Sequence, residues 1–140
     1  MNKPDIPDYE LTDLCGCGAF GDVWRAKDRY GAFRAIKVLD KGRLRMRGAL
    51  DKEERGVAAF RRIAPEHRNL LEIYHIGETS ECVYYVMALS DDVNGGKGVY
   101  FPDTLSYRLS RGPLPPGEAI KMMRSLLAAL SSLHSAGLVH

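Results

Sequence analysis

The chain has 140 residues, 45% of them hydrophobic and 27% charged, and its 20 lysines and arginines nearly balance 18 acidic residues, for a formal net charge of +2. This composition is that of an ordinary globular domain with one core, and it excludes a disordered chain. It also argues against a disulfide scaffold or a membrane span, because the three cysteines lack paired spacing and no apolar run approaches about 18 residues.

The first ninety residues predict an antiparallel sheet with one helix inserted into it. After a polar lead, residues 1–8, alternating hydrophobicity and turn residues predict three strands, a helix that ends at Pro65, and two more strands. The predicted strands are Tyr9–Cys15, Val23–Lys27, Phe33–Leu39, Leu70–Ile76 and Cys82–Leu89. This order favours an α+β fold and not an alternating βαβ series.

The rest of the chain predicts a loop and two helices. Asp91–Gly98 is polar and glycine-rich, Asp103–Ser110 has the pattern of a short helix, and Gly112–Gly117 is a proline-rich break. A long helix is predicted from Glu118 to Ala136, with Gly137 as its stop signal. More than half of its circumference is apolar, so we expect the isolated chain to be marginally stable or prone to associate.

Three glycines between the first two predicted strands have the spacing G-x-G-x-x-G, at Gly16, Gly18 and Gly21. This spacing alone also fits a tight hairpin or a dinucleotide-binding βαβ unit. In the βαβ unit the third glycine opens a helix, but only six residues separate Gly21 from the turn at Asp28. A P-loop is excluded because Gly21 is not followed by Lys-Ser or Lys-Thr. The glycines would let backbone amides approach phosphate oxygens, which favours nucleotide binding.

Two charged residues stand on otherwise apolar surfaces. Period two puts Ala35 and Lys37 on one face of the third strand, where the small Ala35 leaves room for a flat base and Lys37 would reach phosphates. Glu53 interrupts an apolar helical stripe, and a carboxylate that faces a core needs a cationic or hydrogen-bonding partner. The stripe consists of Leu50, Val57, Phe60 and Ala64. A solvated lysine and a glutamate that reaches solvent are the alternatives.

In this order the motifs resemble those of the protein kinase family. Gly16-x-Gly18-x-x-Gly21-x-Val23 is similar to its nucleotide-covering loop, and Arg34-Ala35-Ile36-Lys37 to its V-A-I-K strand, with Arg34 in place of Val. The residues 84–87 resemble the strand before the hinge, and 133–140 resemble the run into the H-R-D motif, ending on its His. The resemblance spans nearly the whole chain.

The resemblance implies a kinase-like N-lobe at residues 9–89, with a five-stranded antiparallel sheet and one packed helix, then a hinge loop and the truncated start of a C-lobe at 90–140. It implies an ion pair between Lys37 and Glu53. The implied ATP-binding residues are Cys15, Gly16, Cys17, Gly18, Ala19, Phe20, Gly21, Val23, Ala35, Lys37, Met87, Ala88, Leu89 and Ser90. Cys15, where an aliphatic residue is usual, and Ala88, where an acid is usual, depart from the family pattern. Asp91 or Asp92 either touches the ribose or is solvated.

The implied reaction is transfer of the ATP γ-phosphoryl group to protein hydroxyls by a serine/threonine-type kinase that uses Mg²⁺. In the family the catalytic Asp, the metal-binding Asn and the D-F-G Asp follow the H-R-D His, which here is His140. We therefore expect the 140 residues alone to hold no metal ligands, to bind ATP weakly if at all and to be catalytically inactive.

The expected partners are ATP and a protein substrate, with no nucleic acid and no membrane segment, in the cytoplasm. The arginines between Arg43 and Arg68 fit a solvated helix face better than a phosphate-binding patch. Two other readings stay open: a non-catalytic nucleotide-binding or partner-docking module built as a detached kinase N-lobe, and, less favoured, a fragment of a dinucleotide-binding oxidoreductase.

Overall fold

A computed structural model describes residues 3–18, 21–46, 48 and 50–138. Five strands form one antiparallel sheet in the order β1-β2-β3-β5-β4, which confirms the predicted α+β class. The strands are β1 (Tyr9–Cys17), β2 (Gly21–Asp28), β3 (Phe33–Asp40), β4 (Ile73–Glu78) and β5 (Cys82–Met87). The helices are α1 (Lys41–Met46), α2 (Leu50–Ile63), α3 (Leu105–Ser110) and α4 (Pro116–Ser135), with a 3₁₀ turn at Ala64–Glu66.

The central strands divide the core into two layers, because side chains alternate between the faces of a sheet. Ile36 and Val38 of β3 belong to the outer layer, together with Tyr84 and Val86 of β5. The inner layer lies against α2 and is formed by the complementary set of side chains. Its buried members are Ala35, Leu39, Leu44, Ile73, Val83, Tyr85 and Met87. Every residue of β5 is buried, so the side chains on both faces of this strand belong to the core.

The residues before β1 cover part of the outer layer. Ile6 is only 2% exposed and packs into that cluster, and its carbonyl accepts a hydrogen bond from the Tyr9 amide at 3.1 Å. The polar composition of the lead did not indicate this buried anchor. A single apolar residue in a short segment has no period by which it could be recognised.

Helix α1 was not among the predicted elements. The Asp40 carboxylate accepts a hydrogen bond at 2.8 Å from the backbone amide of Arg43, which is the arrangement of a helix N-cap. Leu44 is fully buried in the inner layer and attaches the helix to the sheet.

Helix α4 is joined to the rest of the fold mainly through its C-terminal half. Ala129 and Leu133 are buried, and the Asn69 amide donates a hydrogen bond to the Ser125 carbonyl at 3.3 Å. Gly137 has a φ of +76° directly after the helix, as expected of the predicted stop signal. Within the described part of the chain, none of the helices has the length and apolarity that a membrane crossing requires.

Candidate functional site

A cavity of about 600 Å³ lies between α2, the inner face of the sheet and the end of α4. Its walls combine apolar side chains with a few charged ones. The lining residues are Lys37, Lys52, Glu53, Gly56, Val57, Phe60, Leu71, Ile73, Tyr85, Met87, Leu133 and Leu138. The two charged residues that the sequence singled out, Lys37 and Glu53, therefore face the same space.

Lys37 is fixed by its place in the centre of the sheet. It stands directly opposite Tyr85 of β5, and its Nζ lies 5.6 Å from the centroid of the Tyr85 ring, within range of a cation–π contact. Its side chain is half-buried, so the ammonium group enters the cavity over an aromatic floor. Lys52, a second cation at this cavity, was missed by the sequence reasoning because it lies beside the apolar stripe of the helix.

Glu53 is the acid of α2 that turns toward the cavity. Glu53 is half-buried, whereas Glu54 is exposed on another side of the helix. Among the described residues, no nitrogen–oxygen distance of 4.0 Å or less joins Lys37 to Glu53. The structure thus brings the two groups to one cavity without pairing them directly, and the ion pair stays a prediction. Of the stripe around Glu53, the side chain of Leu50 lies outside the described part.

The residues predicted to hold a flat base lie next to this cavity on the inner face. Ala35 is paired with Met87 across β3 and β5, and both are buried. Val23 and Leu89 pack against the same layer, and Cys15 is half-buried on β1. Burial, before any other effect, raises the pKa of the Cys15 thiol, which therefore stays protonated and apolar at neutral pH.

The segment after β5 has the open backbone groups that a hinge needs. The Ala88 amide makes a long hydrogen bond of 3.4 Å to the Glu72 carbonyl. By contrast, the amide and carbonyl of Leu89 have no hydrogen-bond partner among the residues that the structure describes. A donor and an acceptor side by side at Leu89 match the edge of a nucleic base.

The glycine-rich segment is the tip of the β1–β2 hairpin. Gly16 and Cys17 belong to β1, Gly21 begins β2, and the Gly18 amide donates to the Gly21 carbonyl at 2.8 Å. The predicted loop residues Ala19 and Phe20 lie outside the described residues, as do Val139 and His140 at the other end. Because β2 begins at Gly21, the predicted strand after the loop is confirmed, and no helix follows Gly21.

The Asp92 carboxylate binds the backbone of its own loop. Its carboxylate accepts hydrogen bonds from the amides of Asn94, Gly96 and Phe101, each at 3.0 Å. The Phe101 and Asn94 amides are the main reasons why the pKa of Asp92 lies below its usual value. Asp91 is exposed and remains the candidate of the two for a sugar hydroxyl.

Comparison with known proteins agrees with this geometry. The model of the protein kinase domain family matches residues 9–140. CBL-interacting protein kinase 19 of Oryza sativa subsp. japonica is 32% identical over 133 residues, which are 94% of this chain and 24% of that protein. CBL-interacting serine/threonine-protein kinase 15 of Arabidopsis thaliana is 31% identical over 94% of this chain and 29% of its own length.

A third relative is calcium/calmodulin-dependent protein kinase type 1B of Rattus norvegicus, 32% identical over 94% of this chain and 35% of that protein. The chain spans about a quarter to a third of the length of these curated relatives. With the family model matched over nearly its whole length, the chain belongs to the protein kinase domain family. The predicted kinase resemblance and N-lobe fold are confirmed.

Proposed function

We propose that this chain is the nucleotide-binding part of a serine/threonine protein kinase, whose complete form transfers the γ-phosphoryl group of ATP to a protein hydroxyl. The proposal is supported by membership of the family and by the names of the relatives. The observation that carries it is one constellation: Lys37 and Glu53 face a single cavity, and Val23, on the strand that leaves the glycine hairpin, is paired with Lys37. Leu89, with its open backbone groups, packs against the same inner layer of the sheet.

In this proposal the base lies against Val23 and Ala35 and bonds the backbone of Leu89. The glycine hairpin covers the phosphates with its backbone amides, and the Lys37 ammonium contacts them as a point charge. Glu53 acts through Lys37, whose orientation it sets when the two groups pair. ATP supplies the phosphoryl group when it is bound.

The proposal also covers the metal ion, the substrate and the compartment. We expect the complete kinase to use Mg²⁺ together with ATP, as its family does. Among the described residues there is no cluster of Asp, Glu, His and Cys side chains suited to a metal ion. A protein substrate and a cytoplasmic location complete the proposal, and the free thiols of Cys15, Cys17 and Cys82 fit a reducing compartment.

The test compares ATP with adenosine, which lacks the phosphates. Lys37→Met should weaken ATP binding by about tenfold or more, because it removes one charge-assisted contact to phosphate. The same variant should bind adenosine within about twofold of the unaltered chain, since the base and sugar do not need the ammonium. Titration calorimetry or amide chemical-shift titration of the 140-residue chain measures both dissociation constants.

Lys27→Met is the matched control, because Lys27 is an exposed lysine on the neighbouring strand β2. It makes the same change of charge and should leave both affinities unchanged. Equal ATP affinity in the Lys37→Met variant and the control would remove Lys37 from the phosphate site. A chain that binds neither adenosine nor ATP would refute the nucleotide-binding proposal itself.

A further inference from the structure

The polar loop that follows the predicted hinge is folded into a closed structure. Beyond the three amides bonded by Asp92, the Val93 amide donates to the Phe101 carbonyl at 2.9 Å and the Asp103 amide to the Asp91 carbonyl at 2.8 Å. Asp92 and Pro102 form an isolated antiparallel bridge. The loop from 91 to 103 therefore has a defined shape, which composition alone did not predict.

This loop carries one buried aromatic residue, Tyr100, back toward the hinge. Tyr100 is only 8% exposed. Its hydroxyl donates to the Ser90 carbonyl at 3.1 Å and lies 2.8 Å from the Ser90 Oγ, so two polar contacts fix the ring. Ser90 belongs to the predicted base-binding segment, and Tyr100 is thereby attached to the site.

The Tyr100 ring packs on Arg25 of β2. The guanidinium carbon of Arg25 lies 4.8 Å from the centroid of the Tyr100 ring and 3.8 Å from that of Phe33, and its Nη1 forms an ion pair with Asp13 at 3.2 Å. The Arg25 Nε is buried and has no hydrogen-bond partner in the part of the chain that the structure describes. Two aromatic rings and one carboxylate therefore hold this cation in place.

Arg25 lies on the nucleotide side of the sheet. It is paired with Ala35 across β2 and β3, and directly opposed residues project from the same face. Val23, two residues earlier on β2, shares that face. Tyr100 and Arg25 thus lie beside the residues predicted to contact the base, at the end nearest Ser90.

The phosphates would lie at the other end. Gly21 at the hairpin tip is four residues before Arg25, a separation of about 13 Å along an extended strand. The Arg25–Tyr100 pair is therefore placed to touch the base and sugar of a nucleotide and not its phosphates.

We propose that Tyr100, stacked on Arg25 and bonded to Ser90, forms a side wall of the nucleotide site and contributes to binding of the nucleoside part of the ligand. This inference rests on the proposed nucleotide binding. It adds to that site two residues outside the glycine hairpin, the lysine strand and the hinge, and it gives the 91–103 loop a role in ligand binding.

The experiment titrates the 140-residue chain with adenosine and with ATP. Tyr100→Ala should raise both dissociation constants by the same factor, about tenfold, because the wall contacts what the two ligands share. Tyr100→Phe keeps the ring on Arg25 and should stay within about threefold of the unaltered chain. Phe101→Ala is the control: it removes a neighbouring ring of the same loop, which is half-exposed and contacts Tyr107 in a tilted arrangement with the ring centroids 5.1 Å apart.

The outcomes separate this inference from the one on which it rests. If Tyr100→Ala leaves the adenosine affinity unchanged, the proposed side wall is wrong, whereas the proposed nucleotide binding stands as long as ATP binding depends on Lys37. A loss confined to ATP would also overturn it, because the wall would then act on phosphates. Absence of any nucleotide binding by the unaltered chain would refute both proposals. If Tyr100→Ala fails to fold, Tyr100→Leu, which fills the space without a flat ring, replaces it with the same expected loss.

Discussion

Lys41 is a buried lysine at the start of α1 that ties β3 to the turn between β4 and β5. It is 7% exposed, and its Nζ donates hydrogen bonds at 2.5 Å both to the Glu78 carboxylate and to the Thr79 carbonyl. The backbone amide of Lys41 also donates to the Glu81 carbonyl at 3.0 Å. A buried ammonium needs a counter-charge, and the Glu78 carboxylate supplies it. Lys41 therefore depends on this contact more than Glu78 does.

Glu78→Gln should therefore lower the midpoint of thermal unfolding by about 1–3 °C at pH 7, since the variant leaves the Lys41 charge without its carboxylate, and solvent screens a contact whose acid is 66% exposed. The hydrogen bond from Lys41 holds the pKa of Glu78 below its usual value of 4.5. A carboxylate with a lowered pKa stabilises the fold above its unfolded pKa, and this contribution is lost as the pH falls through the folded pKa. The difference between variant and unaltered chain should thus be full above pH 4.5 and shrink as the pH falls below that value.

Calorimetric unfolding scans at several pH values measure this difference. Glu81→Gln is the control, since Glu81 is an exposed acid in the same turn, and it should show little change at any pH. A gap between Glu78→Gln and the unaltered chain that stays constant down to pH 3 or is absent at pH 7 would show that the contact with Lys41 does not stabilise the fold.

At the scale of elements, Gly21 is needed by the sheet as well as by the loop. A Cβ built on Gly21 would lie 2.0 Å from the Val38 carbonyl oxygen, a backbone atom of β3 that cannot rotate away. A Cβ on Gly16 would have no neighbour within 4 Å. The two glycines of one motif thus have different constraints. Packing within the folded chain requires a glycine at position 21, whereas at position 16 only a bound ligand would require one.

Gly21→Ala should lower the free energy of unfolding by about 2–4 kcal/mol, because β2 must move away from β3 to accommodate the methyl group. Gly16→Ala should change it by less than about 0.5 kcal/mol. Urea denaturation of both variants measures the two values. Equal effects would contradict the close approach at Gly21, whereas a stable Gly16→Ala chain with weaker ATP binding would support the role of Gly16 in covering phosphates.

Alternation and turn residues were enough to predict the five strands in order, because each strand pattern lies within a few adjacent residues. The bounds shifted where local signals were weak: the fourth strand begins at Ile73 and not at Leu70, and it continues through Gly77 to Glu78. Helix α1 was missed because a helix of six residues with one buried leucine has too few turns to show a period. The cap at Asp40 was the one signal that could have revealed it.

At the scale of the whole molecule, only those residues of the candidate site that belong to short sequence motifs could be predicted. The glycine hairpin, Lys37 and Glu53 have short sequence signatures, and the structure brings the two charged residues to one cavity. The contact of Arg25 with Tyr100 joins residues 75 positions apart, and no local period records such a pair. Its prediction would have required the loop shape that Asp92 creates through three backbone hydrogen bonds.

Helix α4 presents two different faces. The stripe with Ala129 and Leu133 packs on the protein, whereas Ile120, Met123 and Leu127 are 56%, 53% and 58% exposed. Exposed apolar residues at spacings of three, four and seven form one continuous surface, and water contact with such a surface is unfavourable. Deletion of α4 would not isolate this effect, because Leu133 also lines the cavity beneath α2.

The double variant Ile120→Glu with Leu127→Lys changes the exposed face of α4 without a change of net charge. In sedimentation velocity we expect the unaltered chain to self-associate with rising concentration and the double variant to stay monomeric. The unfolding midpoints of the two proteins should lie within about 2 °C of each other, since neither Ile120 nor Leu127 is buried. Ala128→Glu with Ser135→Lys adds the same two charges, again seven residues apart, to exposed positions of α4 at the side of the apolar face, and it should associate like the unaltered chain. Equal association of all three proteins would show that this face does not drive contact between molecules, whereas a large drop in the midpoint of the double variant would mean that Ile120 or Leu127 packs within the fold.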